Sequence, residues 1–280
     1  MIDFPRNRRS FEIVETKQMR KIARATLDVH AGGTMVVWTG SQGIGKTTTA
    51  QWMGDQLAER FDEDDPDAFR TRYYETGGTP AHATKPGKKA LRTLFTKTIG
   101  PMDGGVYRRS EAEDLAELIL AGLKQRNVQL VFIDEAGKLT VDAIRGLVLV
   151  RNLAHTKGWD LTLVFIGMDN LGGMMRSVPQ IDRRVEEWSF FEPYNVAETY
   201  TILSEIHPYF AGLDLDNPAE RAQVEYLHEQ YAGLPAQMVA FLRKLDRRKE
   251  RVGREIDMTL IKAVHLTTVR DKRLALADSR

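Results

Sequence analysis

The apolar positions along the chain change their period several times, and each change marks an element. Thr16 is placed to cap a helix over 17–30, with Met19, Ile22, Ala23 and Leu27 on one face. Gly32 and Gly33 end that helix. The run TMVVWT at 34–39 is short and apolar, the pattern of a strand buried on both faces. A glycine-rich turn then leads into a helix over 46–61. The acidic run 62–67 reads as a solvated loop, and 69–74 as a second strand. The stretch 77–87, rich in Gly, Pro and Thr, is a loop that opens a basic helix with Leu91, Leu94 and Phe95 as its apolar positions. After a second Gly/Pro loop at 101–105, Ser110 is placed to cap a helix running to about Arg126. Glu113 stands three residues on, as a capping box requires.

The third strand is LVFI at 130–133, followed by a helix over 141–155. The fourth strand is 161–166 and the fifth 187–191. Beyond Pro193 the pattern is wholly helical, over 196–207, 218–232, 235–250 and 256–266. Strands that alternate with helices predict an α/β fold, a parallel sheet with helices on both faces. The remainder predicts a small all-helical lid. The expected domains are therefore 1–193 and 194–280.

Composition adds exclusions more than assignments. A chain of 280 residues buries one good core and a smaller attached one. Lys and Arg number 40 against 39 Asp and Glu, so bulk charge does not announce a nucleic-acid binder. Any DNA contact must come from local patches. There is no cysteine, which excludes disulfides and thiolate metal sites and suits a cytoplasmic protein. No apolar run approaches the roughly 20 residues of a membrane span. The basic N-terminus has no apolar stretch behind it, so it does not read as a secretory signal. The histidines form no metal-ligand spacing.

Two motifs carry chemistry. Gly40, Ser41, Gln42, Gly43, Ile44, Gly45, Lys46 and Thr47 fit G-x-x-x-x-G-K-[ST] in full, directly after a predicted strand and at the start of a predicted helix. The glycines let backbone N–H groups wrap a phosphate, and the helix adds the positive end of its dipole. Lys46 is placed for the β and γ phosphates of ATP, Thr47 for Mg²⁺, and Thr48 for the phosphates beside it. The second motif is the third strand, which ends in Asp134 and Glu135. A strand buried on both faces delivers its last residues to the carboxyl edge of the sheet, where ligands bind. Asp134 is placed to hold Mg²⁺ or its water, and Glu135 to polarise an attacking water as general base. The pair marks 1–193 as a P-loop NTPase domain with a water-activating acid.

This arrangement resembles the Walker B motif of AAA+ ATPases. The resemblance implies several further roles. A polar residue after the fourth strand, Asp169 or Asn170, would sense the γ-phosphate, with Asn170 favoured. Arg183 or Arg184, before the fifth strand, would reach the nucleotide of a neighbouring subunit, which implies a homo-oligomer, a ring or a filament. In the lid, 231–237 (YAGLPAQ) is similar to the turn that introduces a second sensor. Ala236 and Gln237 stand where many relatives place arginine, which implies slow or partner-stimulated hydrolysis.

Among AAA+ proteins the chain resembles the TnsC/TniB/MuB type of transposition regulator and its ExeA-like relatives. The order of several runs carries this: Glu15-Thr16, KKALRTLFTKTIG at 88–100, RNVQ before LVFIDEAGKL, Arg183-Arg184-Val185, and 191–194 (FEPY). The resemblance implies an ATPase that assembles on duplex DNA without sequence preference, marks a target site and recruits transposase. It also implies that Lys85, Lys88, Lys89, Arg92 and Lys97 contact the DNA backbone. The stretch 243–280 is basic as well, with twelve Lys and Arg against six Asp and Glu. It is placed equally for DNA, a protein partner or solvent. The alternative function is a scaffold or signalling ATPase of a secretion or defence system that binds protein and not DNA.

Overall fold

The computed structural model describes residues 13–61, 68–76 and 112–277. The expected acidic loop, the basic helix with Lys85, Lys88, Lys89, Arg92 and Lys97, and the Ser110 cap lie outside the described residues. The chain divides into two compact units, 1–42 with 46–191, and 192–280 with 43–45.

The first unit opens with α1 (Lys17–Asp28), whose N–H groups find the expected cap: Thr16 accepts from the Met19 N–H. Then follow β1 (Met35–Gly40), α2 (Lys46–Glu59), β2 (Arg70–Glu75), α3 (Ala112–Gln125) and β3 (Val128–Asp134). After them come α4 (Val141–Thr156), β4 (Thr162–Ile166), α5 (Asp169–Arg176), α6 (Pro179–Asp182) and β5 (Val185–Phe191). The strands form one sheet in the order β2-β3-β4-β1-β5, with every neighbouring pair parallel. Every residue of β1 and of β4 is buried, which is why both read as unbroken apolar runs.

Helices α3 and α4 cover the sheet through Leu115, Ile119, Ile144 and Leu147, packed with Met35, Val37 and Phe165. Trp38 on β1 meets the rings of Phe132 and Phe191 at 5.6 and 5.7 Å. Its indole N–H donates to the Thr26 hydroxyl at 3.1 Å. That bond explains one departure from the expected face of α1. Thr26 is wholly buried and Leu27 only half-buried, because the indole needs an acceptor where a leucine would offer none. The helix also stops at Asp28, and His30 begins a separate short 3-10 turn.

The second unit holds α7 (Val196–Ile206), α8 (Pro208–Ala211), α9 (Pro218–Tyr231), α10 (Pro235–Val252) and α11 (Met258–Ala277). Its own core includes Leu203, Phe210, Leu227, Phe241, Leu245 and Ile261. Asn195 and Glu198 close a capping box on α7, and proline opens α8, α9 and α10, where a missing N–H costs nothing. Between α9 and α10 the chain turns through Ala232 and Gly233, both at positive φ. A side chain at Gly233 would sit 2.2 Å from the Tyr194 carbonyl oxygen, so the turn admits glycine alone. The N–H of Ala236 donates to the Gly43 carbonyl at 3.2 Å within this unit. Among the described residues no helix is long and apolar enough to cross a membrane.

His30 is buried in the first unit, its Nδ1 3.0 Å from the Thr162 hydroxyl and its ring tilted against that of Phe69 at 4.2 Å between centroids. Burial lowers its pKa from the usual 6.5, against weaker raising effects of Asp160 and Gln129. As pH falls below that value the unfolded chain takes up a proton that the folded chain resists, so stability is lost on acidification. We expect the denaturation midpoint to fall from pH 7.5 to 5.5, and His30→Asn to recover up to about 1 kcal/mol of that loss. Equal losses in the two proteins would remove His30 from the account.

Candidate functional site

The strand register brings two strand ends level at the carboxyl edge of the sheet. Gly40 ends β1 opposite Phe191 of β5, and Asp134 ends β3 opposite Glu75 of β2. The phosphate-loop sequence starts where β1 stops. Gly40 has φ +150°, and a Cβ there would meet the Phe191 carbonyl oxygen at 2.7 Å. The edge strand thus presses on the loop's first residue, and only glycine fits. Gly45, the last loop glycine, has φ +106°, and α2 begins at Lys46.

Lys46 is buried, and its ammonium donates to the carbonyls of Gly40 at 2.7 Å and Ser41 at 2.8 Å. Burial lowers its pKa, and the nearby carboxylates of Asp134 and Asp169 work against that shift. Both acids therefore lie within electrostatic reach of the loop cation.

Asp134 is the most tightly held acid of the site. Its Oδ2 accepts from the Thr47 hydroxyl and from the Tyr73 hydroxyl, each at 2.5 Å, and its Oδ1 accepts from the Glu135 N–H at 2.7 Å. Thr76 secures the backbone behind it, donating from its hydroxyl to the Asp134 and Glu135 carbonyls and from its N–H to the Asp134 carbonyl. Tyr73 is buried, and desolvation together with Asp134 pushes its pKa upward, so the phenol is a donor at physiological pH.

The donor set fits Mg²⁺. Thr47 spends its proton on Asp134 and keeps its lone pairs, so a hard oxygen and a carboxylate stand side by side. Among the described residues no group of three or more His, Cys, Asp and Glu is placed to hold a metal. Mg²⁺ suits such a site, because it usually binds one or two protein oxygens and completes its shell with water and phosphate. When bound, it supplies charge neutralisation of the phosphates. With such a ligand the 40–45 backbone would cradle phosphate, Lys46 would supply charge beside it, and Thr47 and Asp134 would offer their oxygens to the cation.

Glu135 has φ +56° and starts a short 3-10 turn, Ala136–Lys138. Its Oε2 pairs with the Lys138 ammonium at 2.5 Å. Asn170, in the first turn of α5, lies against this same turn: a Cβ at Gly137 would be 3.2 Å from its Oδ1. The two sensor candidates thus divide, with Asp169 near Lys46 in charge and Asn170 beside the Glu135 turn. The two arginines divide as well. Arg184 donates from Nη1 to Asn152 and from Nε to the Gln180 carbonyl at 3.2 Å. Arg183 is exposed at the end of α6, with no side-chain hydrogen bond or ion pair among the described residues.

Sequence reasoning passes over Tyr73 and Thr76. The signal available is a tyrosine at the carboxyl end of a strand, an apolar ring with a polar tip, followed by a threonine. Tyr73→Phe keeps the ring and removes one donor from Asp134. We expect fluorescent-nucleotide affinity without Mg²⁺ to stay within about twofold, while the Mg²⁺ needed for half-maximal tightening rises roughly tenfold. An unchanged Mg²⁺ dependence would leave Tyr73 a packing residue only.

Three comparisons with known proteins bear on this geometry. A family model described as an AAA domain matches residues 29–175, more than half of the 280. A search of curated proteins returned no match. Among solved structures the chain is similar to the ORC2 protein of Aeropyrum pernix in its ADPNP–ADP complexes, at TM-score 0.65 and 18% identity over 89% of this chain and 66% of that one. It is similar to Cdc6p from Pyrobaculum aerophilum, at 0.61 and 17% over 88% and 66%. It is also similar to the ORC1 protein of Aeropyrum pernix in complex with DNA, at 0.57 and 18% over 91% and 65%. The chain therefore spans just under two thirds of the length of these three proteins, and at such identities the likeness speaks for the fold. The strand order, the loop between β1 and α2 and the acids ending β3 agree with the family match, and this chain belongs to the AAA domain family of P-loop NTPases.

Proposed function

We propose that the chain is an ATP-dependent regulator of DNA transposition that oligomerises on duplex DNA, marks the target and recruits transposase. The observation that carries the reading is Arg183, a guanidinium set free at the end of α6 while its neighbour Arg184 is tied to Asn152. A permanent charge with forked donors and no partner among the described residues of its own chain suits the phosphate of a nucleotide held by the next subunit. Thr47, Asp134 and Glu135 supply the cation oxygens and the acid for hydrolysis in this reading. ATP bound at a subunit interface then favours assembly, and hydrolysis releases it.

DNA enters through the order of sequence runs that resembles transposition regulators, and through one solved structure of similar fold that is a complex with DNA. Lys85, Lys88, Lys89, Arg92 and Lys97 are the backbone contacts of this reading and lie outside the described residues.

Two measurements test it. In electron microscopy with random duplex and a non-hydrolysable ATP analogue, we expect rings or filaments threaded by DNA, absent without nucleotide. Oligomers indifferent to DNA would move the assignment to a protein-binding scaffold ATPase. In turnover assays Arg183→Ala should lose about a hundredfold or more of the assembly-stimulated rate, with nucleotide affinity nearly unchanged, and Arg184→Ala should lose far less. The reverse ranking would give the role in the neighbour's site to Arg184.

A further inference from the structure

Helix α10 carries an exposed basic stripe on the flank away from its core face. Met238, Phe241, Leu242 and Leu245 are buried in the helical unit. Lys244, Arg247, Arg248 and Arg251 follow the spacing i, i+3, i+4, i+7, which sets them on one side of a helix, and all four are exposed. Three of the acids nearby are taken elsewhere. Asp246 holds His207 at 2.8 Å, Glu255 pairs with Lys249 at 3.5 Å, and Asp257 pairs with Arg254 at 3.4 Å. Glu250, three residues after Arg247, borders the stripe and makes no ion pair with it among the described residues, so the four cations stand against one neighbouring acid. Lys244 donates to the Thr268 hydroxyl at 3.3 Å, while Arg247, Arg248 and Arg251 have no side-chain hydrogen bond or ion pair among the described residues.

Helix electrostatics account for only part of this. Cations in the last turn, Lys249 and Arg251, complement the negative end of the helix dipole. Lys244, Arg247 and Arg248 stand upstream of that turn, where like charges three and four residues apart repel one another. A polyanion laid along the stripe removes that repulsion.

We infer that this stripe is a second duplex-DNA contact, which grips the phosphate backbone without reading bases. The inference rests on the DNA-binding reading given above and adds the helical unit to it. Geometry and chemistry agree with the ligand. Residues 244 to 251 span about 10 Å of helix, over which one strand of B-DNA presents about three phosphates. Three guanidinia face that interval, each able to take two phosphate oxygens through its fork. An acidic protein segment shares the charge but not the regular phosphate spacing, and it serves as the competing outcome.

The experiment uses the full chain with a non-hydrolysable ATP analogue, titrating a labelled random 30-base-pair duplex by anisotropy across a salt series. The variant carries Arg247→Gln, Arg248→Gln and Arg251→Gln together. We expect the slope of log affinity against log salt to fall by about 2 to 3, and affinity in 0.1 M salt to fall tenfold or more. The melting temperature and nucleotide affinity should stay as in the parent, which separates contact loss from misfolding. An unchanged slope, with parent DNA binding intact, would overturn the stripe and leave the DNA reading standing. A parent that shows no salt-sensitive DNA binding would overturn both. A triple variant that loses poly-glutamate binding but keeps the parent DNA slope would reassign the stripe to an acidic protein partner.

Discussion

One hydrogen bond organises the chemistry of this fold, the donation from Thr47 to Asp134 that ties the start of α2 to the end of β3. The two residues are 87 positions apart in sequence, and the parallel sheet makes them neighbours. Because β1 and β4 are buried throughout, a slip of either strand would misfit the close-packed side chains on both of its faces. The loop residues follow from that fixed register. Gly40 must be glycine because β5 lies against it, and Lys46 must bury its stem because the carbonyls of its own loop receive its charge. Asp134 is held from three sides, so its carboxylate is set before any ligand arrives.

The same economy separates residues serving the chain's own fold from residues available to others. Arg151 donates to the Gly33 carbonyl at 2.6 Å, and Arg184 is bound to Asn152. Both cations are spent on their own unit. Arg183 and, on α10, Arg247, Arg248 and Arg251 are not, among the described residues. A free guanidinium on a folded surface costs little, since water solvates it well, and its significance lies in position. Arg183 sits at the end of a short helical turn, whereas Arg247, Arg248 and Arg251 lie along one side of a long helix.

Much of this architecture is legible in the amino-acid sequence. The two phosphate-site motifs stand out because they combine rare residue types at fixed spacing with an apolar strand immediately before them. β1, β3 and β4 are legible because strands buried on both faces read as apolar runs, whereas the edge strands β2 and β5 carry charged residues and show mainly through their aromatic residues. What escapes does so for physical reasons. The short helices Asp169–Arg176, Pro179–Asp182 and Pro208–Ala211 are too brief to show a period. Thr26 is invisible as a core residue because its burial depends on an indole N–H twelve residues away. Tyr73 is hidden because its partner comes from another strand. The split between Arg183 and Arg184 depends on Asn152, which no local pattern ties to them.

Glu135 shows how such a site departs from what the fold alone would choose. Its backbone lies in the left-handed region, at φ +56°, a setting that glycine or asparagine accepts with less strain. For glutamate the conformation costs on the order of 1 kcal/mol, so the acid is retained against the local preference of the chain. In a library screened only for folded protein, position 135 would drift toward glycine or asparagine while Asp134, with its three hydrogen bonds, resisted. The contrast between those two adjacent carboxylates would then mark, without any assay of turnover, which of them the architecture needs and which it does not.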